Sequence, residues 1–346
     1  MSTEAGFEPQ PFQEGSRWSR PIRDLGLKIE GSRLEPIIQE FLGELERVGI
    51  RKLKPRCYLS TEWGVPGNIA IGIPYYLANP ELTKLHEQYT GHVEGFSRAD
   101  ILRYLRHEMG HVVNYAYKLY DEEEWVKLFG SITQPYEENY RPVPYSRRYV
   151  IHLPGFYAQK HPDEDWAETF AVWMTPGRDW RQEYAGWPEA LAKLEYCDWT
   201  MTRLADTEPQ VTDDELDEPV EAIDAAPASF YPPPHAPEPE SLVGVDGALR
   251  SIFEDLGTPE DLTTAAPRKP AAALIHRLER ELPGLVFRWT GHFPEHTRDL
   301  LHFLAERAAA LNQVYPEDRE TQAIVAITTL VTALAMNHVC HGTYLP

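Results

Sequence analysis

The pentapeptide His107-Glu108-Met109-Gly110-His111 constrains this chain more than any other stretch, because it falls inside a run with strong helical periodicity. Over residues 99–120, Ile101, Leu105, Val112, Ala116 and Leu119 form one apolar stripe, with Ser97 as N-cap and Asp100 in the capping-box position. On such a helix two histidines at i and i+4 lie one turn apart on one face. Both imidazoles can then reach one tetrahedral Zn²⁺, and Glu108 sits beside the metal where it can hold a water as general base. The competing reading is an accidental match on a polar helix surface. A catalytic zinc also requires a third protein ligand, with the fourth position left for water or substrate.

That ligand is found on a third helix, signalled by Pro162 in its first turn and Thr175-Pro176-Gly177 at its end. Within Asp163-Glu164-Asp165-Trp166-Ala167-Glu168, the two glutamates stand one turn apart and share a face. Glu164 is the expected ligand. Glu168 is expected to accept the outer N–H of a ligand histidine, which fixes its tautomer and raises its basicity. Asp163 and Asp165 read as acids that complement the helix dipole. A metzincin would need Gly at position 114 and His at 117, where this chain has Asn114 and Tyr117.

Two strings, His107 to His111 and Tyr157-Ala158-Gln159-Lys160-His161-Pro162-Asp163-Glu164-Asp165-Trp166-Ala167-Glu168, resemble the zinc-binding metallopeptidase family of bacteria, a gluzincin type. They are more distantly similar to lethal-factor-type and thermolysin-type peptidases. The resemblance covers roughly residues 21–206 and leaves out the C-terminal part. It implies a zincin-like fold and one Zn²⁺ per chain held by His107, His111 and Glu164. It further implies that Tyr157, seven residues before Glu164, faces the site and stabilises the oxyanion or leaving group. The alternative for Tyr157 is aromatic packing in a tyrosine-rich region. His152 and His161 flank the second string and read as structural or pocket residues. The strand expected over residues 68–76 precedes the zinc helix as the substrate-aligning edge does in gluzincins, so an extended peptide could pair with it.

Residues 206–240 hold eleven acidic side chains, eight prolines and no Lys or Arg. Such a segment buries little apolar surface and reads as an extended or disordered acidic spacer. It carries about half of the formal net charge of −21, which disfavours nucleic acid and anionic membrane as partners and suits a neutral or basic substrate. Three widely spaced cysteines, Cys57, Cys197 and Cys340, suggest no disulfide framework, and no signal or membrane-length apolar run is read. A cytoplasmic protein is expected.

The remaining periodicity gives a helix over 33–48, neighbouring strands over 54–63 and 68–76, and an irregular excursion over 121–160. C-terminal helices are expected over 271–282, 296–311 and 318–337. His338-Val339-Cys340-His341 at the end of the last one does not read as a site, since no second ligand pair accompanies it. The expected architecture is α+β. A zincin-like metallopeptidase domain with a small mixed sheet spans 1–205, an acidic linker 206–242, and a small all-α bundle 243–346. The expected function is hydrolysis of a peptide or related amide bond in a peptide or protein substrate, through a zinc-held water activated by Glu108. The competing class is a non-catalytic zinc-containing scaffold that uses its C-terminal helices to bind a protein partner.

Overall fold

The computed structural model describes residues 17–90, 92–136, 140–231, 244–256 and 267–345. They divide into two units: one runs through His86 and resumes from Val93 to Phe230, and the other comprises Glu87–His92 and the residues from Tyr231 on. The chain is mostly helical with small sheets, in keeping with a mixed α and β class.

The first unit contains α1 (Leu34–Arg47), β1 (Arg56–Ser60), β2 (Ala70–Pro74), most of α2 (Pro80–Thr90), α3 (Arg98–Tyr117), α4 (Glu123–Phe129), α5 (Pro162–Met174), α6 (Trp180–Glu183) and α7 (Pro188–Leu204). Its core gathers Ile37, Phe41 and Leu45 from α1, Ile71 and Ile73 from β2, Leu105 and Val112 from α3, and Trp166 and Phe170 from α5. Each such side chain contributes roughly 1.5–3 kcal/mol by leaving water. An ion pair to the buried Glu44 also fixes α3 against α1, where the half-buried Arg106 donates to both of its oxygens at 2.8 Å.

The expected neighbouring strands are parallel, in register from Arg56 opposite Ala70 to Ser60 opposite Pro74. The connection between them folds back so that Gly72 N–H donates to Gly64 O at 2.8 Å, an isolated antiparallel bridge. This N–H is therefore not available to an added peptide, which limits the substrate edge anticipated on this strand.

The acidic segment from Asp206 to Phe230 belongs to the first unit and lies on it as an extended strap rather than apart from it as a spacer. Its backbone supplies many of the contacts: Asp213 O accepts from Ile69 N at 3.1 Å, Asp217 O from the Tyr58 hydroxyl at 2.9 Å, Ala225 O from Ile22 N at 2.9 Å, and Gln210 N donates to Ala116 O at 2.8 Å. Val220 and Ile223 are buried in the core. Composition hides this, because a few apolar side chains, a row of carbonyl acceptors and exposed ion pairs such as Lys52–Glu208 at 2.6 Å suffice for anchoring. The rest of the expected linker, 232–243, lies outside the described residues.

The second unit contains α8 (Val245–Ile252), β3 (Glu254–Asp255), β4 (Arg268–Pro270), α9 (Ala271–Leu278), α10 (Leu282–Thr290), α11 (Pro294–Ala310), β5 (Gln313–Pro316) and α12 (Glu320–His341). The all-α expectation is corrected here. The three short strands form an antiparallel sheet in the order β3-β5-β4. Leu249, Leu274, Ile275, Leu300, Leu304, Ile327 and Val331 make a core of their own. The helical stretch Glu317–His341 contains an 18-residue window of mean hydropathy 1.8, so it is long and apolar enough to cross a membrane by length and composition, and 28% of that window is buried. This differs from the sequence expectation, because threonines interrupt the apolar run without lowering its mean much. The three cysteines are free.

Candidate metal centre

Two helix starts aim the site. Ser97 caps α3 by the anticipated capping box, its hydroxyl accepting from Asp100 N at 3.1 Å and the Asp100 carboxylate from Ser97 N at 3.3 Å. His161 caps α5, its Nδ1 accepting from Asp163 N at 3.2 Å, and Pro162 follows with its fixed φ. The two helices then meet at Gly110, where a Cβ would lie 2.6 Å from Ala167 Cα. Only glycine permits this approach, and Trp166 locks it by donating from Nε1 to Gly110 O at 2.8 Å.

This contact brings His107, His111 and Glu164 together, all buried. The two Nε2 atoms lie 3.2 Å apart, and Glu164 Oε2 is 3.0 Å from that of His107 and 3.3 Å from that of His111. Ligands of a tetrahedral zinc at about 2.0 Å stand about 3.3 Å from one another, so the triangle has the size such an ion requires.

The outer face of each ring meets a carboxylate. His107 Nδ1 lies 2.9 Å from Glu168 Oε1, and the other oxygen of Glu168 accepts from His152 N at 3.1 Å and Leu153 N at 2.8 Å. His111 Nδ1 lies 2.9 Å from Asp163 Oδ2, and Asp163 also accepts from Asn114 Nδ2 at 2.6 Å and the Tyr115 hydroxyl at 2.5 Å. These partners put the ring protons on Nδ1 and leave both Nε2 lone pairs pointing inward. Three electron-pair donors therefore converge, and Glu164 Oε2 is buried without a hydrogen-bond partner. A divalent cation fits that donor set.

The electrostatics agree. Burial opposes a charged His107, but the facing carboxylates of Glu164 and Glu168 outweigh it and raise its pKa to about 9, so the pocket favours positive charge at the Nε2 face, which a proton or a metal cation can supply. Burial likewise works against an ionised Glu164, yet His111 and His107 hold it well below the usual carboxylate range. Burial pushes the Glu108 carboxyl up, with His107 and His111 drawing it back, which suits a group that must take and return a proton.

Tyr157 stacks at a tilt over His107, ring centroids 5.6 Å apart, with its hydroxyl 3.2 Å from that of Tyr136. Tyr136 donates to Glu164 Oε1 at 2.6 Å. His152 Nε2 meets Arg103 O at 3.0 Å, and His161 Nε2 meets Gln134 O at 3.1 Å, so both rings are held by backbone carbonyls.

Asp163 and Asp165 correct the sequence reading. Asp163 braces His111 as above, and Asp165 pairs with the buried Lys193 at 2.5 Å, its pKa pushed up to about 7 by burial against the pull of that lysine. Sequence reasoning also missed Asn114, Tyr115 and Tyr136. For Asp163 a signal existed: the second histidine needs an outer partner as much as the first, and Glu168 can serve only one.

No curated protein and no solved structure matches the chain. Residues 84–178, which carry both histidines, Glu108, Glu164 and every bracing partner named above, match the family model described as "putative zinc-binding metallo-peptidase".

Proposed function

We propose that this protein is a zinc-dependent peptidase of the gluzincin type, which hydrolyses a peptide or related amide bond. The observation that carries the reading is the triangle of His107 Nε2, His111 Nε2 and Glu164 Oε2, each histidine braced from behind by a carboxylate. Zinc bound there supplies Lewis-acid polarisation of the scissile carbonyl and acidifies a water. Glu108 takes the proton of the attacking water and passes it to the leaving amine, a role its raised pKa supports. Burial holds the Tyr157 hydroxyl protonated far above neutral pH, with Glu164 adding to the effect, so it serves as a hydrogen-bond donor to the developing oxyanion. The substrate is a peptide without strong negative charge, in keeping with the net charge of −21.

The test is Glu108→Gln. Zinc content should stay at the wild-type level, while turnover of a labelled peptide library should fall by roughly 10²- to 10⁴-fold. Undiminished turnover would remove Glu108 as the base. Zinc binding with no hydrolysis by wild type would favour the scaffold reading.

A further inference from the structure

The second unit holds another group of metal-competent side chains, far in sequence from the centre above. His276, in the last turn of α9, has Nδ1 2.7 Å from Oε1 of Glu279, which caps that helix. From α11, His302 brings its Nδ1 to 3.9 Å of the same oxygen, and the two imidazole centroids are 5.7 Å apart. Glu306, one turn along α11, stands 3.5 Å from His302 Nε2. One ligand atom from each of His276, Glu279 and His302 lies within 4.8 Å of the others.

An ordinary surface ion pair would account for one imidazole against Glu279. It does not account for two imidazoles from two helices meeting one carboxylate. Three further observations favour a cation. The carbonyl end of α9, with its partial negative charge, lies at the cluster. The nearby arginines direct their hydrogen bonds to other acceptors, Arg277 to Glu320 Oε1 at 2.7 Å and Arg298 to Tyr89 O, although Arg298 still adds positive charge near Glu279. Two imidazole nitrogens with a carboxylate form a borderline donor set, which selects zinc-class ions over magnesium or calcium.

We propose that His276, Glu279 and His302 form a second divalent transition-metal site that joins α9 to α11, with Glu306 behind the outer nitrogen of His302. The site is partly exposed, the His302 side chain being 55% accessible, so it exchanges with free metal more readily than the buried centre.

Equilibrium dialysis of the full chain against Zn²⁺ alone, followed by elemental analysis, tests this. The His276→Ala/His302→Ala double variant should bind one zinc per chain fewer than wild type. Glu279→Gln, which keeps shape and removes charge, should weaken the same ion at least tenfold. In parallel, added zinc should raise the thermal midpoint of wild type by more than that of the double variant. Equal zinc content and equal zinc response in all three proteins would overturn the proposal. Because the comparison is a difference between variants, it stands whether or not the first centre proves catalytic.

Discussion

At the scale of single residues, the carboxylates behind the histidines decide how well the front of the site can bind. Asp163→Asn keeps the shape but removes the charge that fixes the His111 tautomer, so zinc affinity should fall by about 10- to 100-fold, read by competition with a chelator. His292 makes a prediction in the second unit. It is 1% exposed, with Nδ1 2.7 Å from the Thr297 hydroxyl and Nε2 2.8 Å from that of Tyr344. Burial, with His338 and His296 adding to it, lowers its pKa from 6.5 to about 3. The unfolded chain therefore takes up this proton first. The contribution to stability is complete above about pH 6.5 and is lost as pH falls through the window toward 3, at roughly 1.4 kcal/mol per unit. Urea midpoints measured from pH 7 to 5 should decline less steeply in His292→Gln than in wild type. What sequence reveals at this scale depends on whether spacing alone defines the chemistry. The i, i+4 histidines and the glutamate pair announce themselves, whereas Asp163 sits in a run of three acids at a helix start, where only burial separates a brace from a dipole partner.

At the scale of elements, the contact of α3 with α5 carries the centre. Gly110→Ala would place a methyl group against the Ala167 backbone and force the helices apart, since neither side of that contact is a flexible side-chain end. Such overpacking costs roughly 1–3 kcal/mol, and zinc affinity should fall by more than the metal-free urea midpoint alone accounts for. Both helices are readable from caps and periodicity. In contrast α7 escaped, because its buried face includes Lys193 and Thr200 beside Leu194, Cys197 and Met201, which breaks the apolar stripe. The strands β3, β4 and β5 escaped because two to four residues are too few to show a period of two.

At the scale of the molecule, two separate cores imply that each unit can hold itself together. A chain ending at Tyr231 should keep the first metal centre and melt in one transition. A chain ending at Ala205 should melt lower, because it loses the strap that accepts from Ile22, Tyr58 and Ile69 and buries Val220 and Ile223. Calorimetry of the two truncations separates these outcomes. The strap also shows why composition misjudges organisation, since charge and proline content report the outward side chains and not the inward carbonyls. The triangle of ligands has one more consequence. His111 and Glu164 stand at opposite ends of the long excursion that carries Tyr136 and Tyr157, so an ion between them closes a ring of chain much as a crosslink does. Removing the ion therefore opens the ring, and hydrogen exchange should quicken around Tyr136 and Tyr157 before the rest of the unit responds.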